Sequence, residues 1–102
     1  MATQRRMIDA NLVRNAVVEL LTRGYAPLDP RDCHELPIVE VLPSGYVDIV
    51  DGYHRIAAMI MGGAEQIPCI VCDDEDLICD AGNAEDPSRQ RAAVKKIYQM
   101  AK

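Results

Sequence analysis

The most constraining stretch of this chain runs a strand, a turn, a second strand and a helix together without slack. Pro37-Ile38-Val39-Glu40-Val41-Leu42 reads as a strand, Pro43-Ser44-Gly45 as a turn, and Tyr46-Val47-Asp48-Ile49-Val50 as a second strand. A connection this short cannot carry a crossover, so the pair must be an antiparallel hairpin. Asp51-Gly52 breaks the second strand, and Tyr53 to Met61 follows as a short buried helix with Ile56, Ala57, Met59 and Ile60 apolar. Gly62-Gly63 closes it. Ile67-Pro68-Cys69-Ile70-Val71-Cys72 is a third strand, with Pro68 near its start, where a missing amide donor is tolerated.

The flanks are mostly helical. Over residues 8–23, Ile8, Leu12, Val13, Ala16, Val17, Leu20 and Leu21 recur at three- and four-residue steps, predicting a helix stopped by Gly24. Residues 25–36, with Pro27 and Pro30, read as a loop. Asp73-Asp74-Glu75-Asp76 predicts a short helix through Leu77, Ile78 and Cys79. Asp86-Pro87 supplies an N-cap followed by Pro at the first helical position, opening a last helix from Pro87 to about Met100. Val94, Ile97, Tyr98 and Ala101 form its apolar stripe. Strands and helices together predict a small α/β (α+β) domain, with a core over 8–72, an acidic segment over 73–86 and a basic helix over 87–101.

A chain of 102 residues, 49% apolar, can bury one core but not two. The net charge of -5 argues against coating nucleic acid through phosphate neutralisation. With four Tyr and neither Phe nor Trp, it lacks an aromatic base-stacking platform. The charge is unevenly spread: -3 over residues 1–72, -7 over 73–86 and +5 over 87–102. No apolar run of signal-peptide or membrane-spanning type is present. The expected compartment is the cytoplasm, where Cys33, Cys69, Cys72 and Cys79 stay reduced.

The chemistry is concentrated in Asp51-Gly52-Tyr53-His54-Arg55. A strand ends, a Gly permits a turn with positive φ, and a helix starts at once. The first amides of that helix and its positive dipole end make an anion site. Arg55 offers a forked guanidinium suited to phosphate oxygens. His54 can donate to phosphate or act as an acid or base near neutral pH. Asp51 can bind Mg²⁺ or accept a hydroxyl proton. The same residues also fit a structural role, with Asp51 as a helix cap, Arg55 paired to a carboxylate and His54 satisfied internally.

The order Leu36-Pro37-Ile38-Val39-Glu40-Val41, then Tyr46 to Met59 with Asp51-Gly52-Tyr53-His54-Arg55, then Gly63, then Ile67-Pro68-Cys69-Ile70-Val71 resembles the ParB/sulfiredoxin superfamily, over about residues 12–72. The resemblance implies a mixed sheet with packed helices and a phosphate-binding loop. Gly52, Tyr53, His54 and Arg55 become the candidate phosphate-binding residues, and Asp51 and His54 the candidate catalytic ones. The implied ligand is ATP, ADP or CTP with Mg²⁺, or another phosphorylated small molecule, with phosphate hydrolysis or transfer as the accompanying chemistry. Tyr53 stands where sulfiredoxin has its catalytic Cys, and a phenol cannot form a thiosulfinate, so sulfinic acid reduction is not expected. The family's first strand looks short or missing, since only Thr3 to Met7 precede Ile8. No equivalent of the kinase-like members' catalytic Glu is evident there. The helix-turn-helix domain that follows in partition proteins is not expected either.

Other constellations read more plainly. Cys69-x-x-Cys72 with Cys79 and Cys33-His34 invites zinc, but residues three apart on a strand face opposite ways. They read as buried free thiols, and no metal set is assigned. Asp73 to Asp76 is a solvated helix start in preference to a cation site. Arg89, Arg91, Lys95, Lys96 and Lys102 form a solvated face paired with the acidic segment. Met7, Met59, Met61 and Met100 are read as core filler. A second functional class stays open: a catalytically reduced protein-binding module, such as a phage or plasmid inhibitor, meeting its partner through 73–86 or 87–102. A DNA nuclease is a third, carried by the family resemblance alone.

Overall fold

The computed structural model describes residues 3–24, 35–83 and 85–101. Its elements in order are β1 (Gln4–Asp9), α1 (Ala10–Val13), α2 (Asn15–Thr22), β2 (Ile38–Val41), β3 (Val47–Asp51), α3 (Tyr53–Met61), β4 (Gln66–Val71), α4 (Glu75–Ala81) and α5 (Pro87–Met100). The strands form a four-stranded mixed sheet in the order β1-β4-β2-β3. β2 and β3 make the expected antiparallel hairpin, with an irregularity between Ile38 and Val39. β4 runs parallel to β2 and antiparallel to β1.

Side-chain alternation then divides the core in two. Ile67, Cys69 and Val71 of β4 join Val39, Val47, Ile8, Val13 and Ile56 on one face, under α1 and α3. Ile70 and Cys72 point the other way, with Ile38, Leu77, Ala81, Ala93 and Ile97, under α4 and α5. Both faces of β2 and β4 are therefore apolar, as central strands covered on both sides require. Each fully buried Ile contributes about 1.5–3 kcal/mol. Cys69 and Cys72 fall in different clusters, so the pair does not converge on one ligand.

Pro68 illustrates how β4 tolerates its sequence. The amides of Ile70 and Cys72 donate to Pro37 O at 2.8 Å and Val39 O at 3.0 Å. By alternation the missing donor at Pro68 would face the same side, before β2 has begun. No ladder bond is lost.

Several sequence expectations are corrected. A first strand is present: β1 spans Gln4–Asp9, and the helix expected from Ile8 begins only at Ala10, where the Asp9 carboxylate caps it by accepting from Asn11 N at 2.9 Å. β1 leaves little trace in the sequence because it is an edge strand whose only buried residue is Ile8, so apolar alternation never appears. A break at Arg14 separates α1 from α2. Leu12 and Leu21, expected on the apolar stripe, are about half exposed at 48% and 53%. Among the methionines, Met59 packs against the core, whereas Met7, Met61 and Met100 are exposed. The loop expected over 25–36 lies outside the described residues up to 34, as do Cys33, His34 and Lys102.

The C-terminal half follows its local signals. Asp74 caps α4 by accepting from Leu77 N at 3.2 Å, and Asp86 caps α5 by accepting from Arg89 N at 3.2 Å. Arg89 also pairs with Asp80 at 2.9 Å, joining the basic helix to the acidic segment. No described helix is long and apolar enough to cross a membrane.

Candidate functional site

The Asp51–Arg55 run sits where β3 hands over to α3. Gly52 adopts φ 100° and ψ 30° and is the N-cap of α3. An added Cβ there would lie 2.8 Å from Pro37 Cβ and 2.9 Å from Pro37 Cα, so glycine is required by both backbone conformation and close approach. The helix start receives no side-chain cap. Its first intrahelical bond runs from Ile56 N to Gly52 O at 3.1 Å. The amides of Tyr53, His54 and Arg55 thus precede the intrahelical ladder. Asp51 does not cap the helix, contrary to the structural alternative for that residue.

Helical geometry separates the side chains that follow. Residues two apart on a helix point to nearly opposite sides. Tyr53 packs against the first core cluster beside Ile49 and Ile60. Burial pushes its phenol above the ordinary 10.0, and the Glu19 and Asp48 carboxylates add to the shift. The hydroxyl stays protonated and able to donate. His54 is half-buried in the first turn of α3.

Arg55 turns toward the second core cluster. Its Nη1 donates to Tyr98 Oη at 2.9 Å and to Leu36 O at 3.3 Å, and lies 3.9 Å from Asp51 Oδ2. Tyr98 Oη in turn donates to Leu36 O at 2.6 Å. One carbonyl therefore receives a phenol and a guanidinium, and the guanidinium also meets a carboxylate. Burial raises the Tyr98 phenol above its ordinary value, and the adjacent Arg55 pulls it partly back.

Beside this network lies an open cleft of about 620 Å³. Asp51 and Glu35 supply carboxylates to its wall, Arg91 and Lys95 supply cations, and Gln90, Tyr98 and Gln99 complete the polar lining. The structure thus brings Asp51, Arg55 and Tyr98 together, with Asp51 and Tyr98 on the cleft wall, and sends Tyr53 to the other side of α3. Tyr98 and the α5 face were read from the sequence only as an apolar stripe. Their signal was a polar-tipped aromatic at the stripe's edge, four residues after Val94. Among the described residues, no group of three His, Cys, Asp or Glu side chains is arranged to hold a metal ion.

Comparison with family models, with curated proteins and with solved structures returned no match.

Proposed function

We propose that this chain is a ParB/sulfiredoxin-like domain that binds a nucleotide or another phosphorylated small molecule at the start of α3. The observation that carries the reading is the helix start itself: Gly52, at φ 100° and without a side-chain cap, leaves the amides of Tyr53, His54 and Arg55 ahead of the helical ladder. Asp51 immediately before it, and Tyr98 bonded to Arg55, both line the adjoining cleft. The order of elements around the loop, β1 included, also agrees with the resemblance.

In this reading the α3 amides and dipole meet phosphate oxygens. Arg55 contacts its present partners through Nη1, and its remaining guanidinium donors reach the anion. His54 donates to the phosphate or moves a proton during hydrolysis or transfer. Asp51 orients Arg55 and offers a carboxylate to a nucleotide-bound Mg²⁺.

Calorimetry with ATP, ADP and CTP, each with Mg²⁺, tests the reading. Binding by the wild type, lost in Arg55→Ala but kept in Tyr98→Phe, supports it. The second variant controls for damage to the Arg55–Tyr98–Leu36 contact, because it breaks that contact and leaves the guanidinium. Absence of binding to the intact protein overturns the reading and favours the protein-binding class.

A further inference from the structure

The hydrogen-bonding pattern of the sheet shows what the outer edge of β1 presents. Ile70 N and Cys72 N donate toward β2, so the alternate residues Ile67, Cys69 and Val71 face β1 with their backbone groups. Their register partners are Ile8, Arg6 and Gln4. By the same alternation, Arg5, Met7 and Asp9 direct their N–H and C=O groups away from the sheet. Ala10 N, which donates to Glu65 O at 2.9 Å, continues the inward set. Among the described residues, no strand pairs with that outer edge.

The side chains of Arg5, Met7 and Asp9 share one face, that of their neighbours Ile70 and Pro68. Gln4 to Met7 are all exposed, and Met7, at 56%, is one of the most exposed large apolar residues described. An unprotected edge of this kind is a template for another strand. The sequence of the edge is also complementary to itself. Read against an antiparallel copy centred on Met7, Met7 meets Met7, and Arg5 meets Asp9 at both ends. All three outward-facing residues then fall on hydrogen-bonded positions of the new pair.

We propose that β1 is a self-pairing edge through which two copies of this chain, meeting antiparallel, join their sheets into one continuous eight-stranded mixed sheet, with Met7 on the two-fold axis. The occupant is a second copy because the charge pattern closes on itself. Each Arg5 guanidinium lies across from Asp9 of the second copy, and the opposite-charge pair favours this register over its neighbours. Shifting the pairing by one residue opposes backbone groups that point inward. The Asp9 carboxylate keeps its Asn11 N bond through Oδ1, and Oδ2 meets the arginine. The Met7 pair covers apolar surface that is exposed in the single chain. This surface is separate from the α3 loop, so nucleotide binding and pairing succeed or fail independently.

Sedimentation equilibrium of the intact protein, over a concentration series in reductant, tests the proposal. The wild type is expected to approach twice the 11.3 kDa of one chain. Met7→Pro is expected to stay at the single-chain mass, because it removes an outward amide. It costs no β1–β4 bond, since Met7 faces away from β4, and proline is tolerated at such edges. Arg5→Asp, which places like charges across the axis, is expected to weaken pairing in the same direction.

Register is read by crosslinking in a background with Cys33 and Cys79 changed to Ser. Directly opposite residues in a hydrogen-bonded antiparallel pair have Cα atoms about 5.5 Å apart, within disulfide range. Oxidation is therefore expected to link Met7→Cys into dimers but not Arg5→Cys, whose two copies lie four residues apart in register. A wild type at single-chain mass throughout overturns the proposal, as does equal crosslinking by both variants. Capture of an acidic extended peptide by a protein that stays monomeric overturns it in favour of a foreign strand.

Discussion

The Arg55 guanidinium and the Tyr98 phenol are joined by a 2.9 Å hydrogen bond that ties the first turn of α3 to the last turn of α5. Both groups converge on the Leu36 carbonyl just ahead of β2. The contact connects residues 43 positions apart and anchors the C-terminal helix to the candidate phosphate loop.

Tyr98→Phe tests the strength of that tie. It removes the donor to Leu36 O and the acceptor of Arg55 Nη1 while keeping the ring against the core. A loss of about 1–3 kcal/mol in urea unfolding is expected. A change below a few tenths would mean that water replaces the phenol at no cost.

Gly52→Ala and Gly45→Ala separate two sources of glycine dependence. Both residues have positive φ, but only Gly52 faces a neighbour, Pro37, within 3 Å of an added Cβ; Gly45 meets nothing within 4 Å. Gly45→Ala is expected to cost about 1–2 kcal/mol of backbone strain. Gly52→Ala should cost roughly 2–4 kcal/mol, because overpacking adds to it. Equal losses in chemical denaturation would place the whole effect in the backbone.

Thiol reactivity should divide the described cysteines by burial. Cys79 is exposed, whereas Cys69 and Cys72 are buried on opposite faces of the sheet. In a Cys33→Ser background, rapid labelling by a disulfide reagent is expected at Cys79 alone. Cys69 and Cys72 should react only at the rate of opening. Mass spectrometry of the labelled peptides reads the result.

Burial pushes the Cys69 thiol from 9.0 to about 12. The unfolded chain therefore releases this proton before the folded one does. The stability tied to the neutral thiol is complete below about pH 9 and is lost as pH rises toward 12. In reductant, denaturation at pH 8, 9.5 and 11 should show a steeper alkaline decline for wild type than for Cys69→Ala. Parallel slopes would contradict the assignment.

Capping and ion pairing at α5 should differ in size. Asp86→Ala removes the cap that accepts from Arg89 N and is expected to cost about 1 kcal/mol. Arg89→Ala removes a largely exposed ion pair with Asp80 and should cost no more than about 0.5 kcal/mol. Thermal unfolding at low and high salt checks both, since only the second effect should fade with salt.

The readable and unreadable parts of the chain divide along physical lines. Asp86-Pro87, Asp51-Gly52 and Gly62-Gly63 act within a few residues of themselves. The bounds of α3 and α5 and the β2–β3 hairpin were accordingly legible without tertiary information. β1 was not, because an edge strand takes its stability from β4, and only Ile8 records that burial in its own residue type. The exposure of Met7, Met61 and Met100 was hidden for a related reason: an apolar side chain states a preference, and neighbours decide whether it is met.

The sequence by itself determined the backbone hand-over from β3 to α3, since Gly52 alone in that stretch accepts a positive φ, and it determined that Cys69 and Cys72 face apart, since strand alternation is a local property. The tertiary structure alone decided where Arg55 goes. Its partners Tyr98 and Leu36 lie 43 and 19 residues away, and no local pattern brings a helix-terminal phenol to a carbonyl ahead of β2. That placement comes from packing α5 over the second face of the sheet, which is a consequence of the whole core.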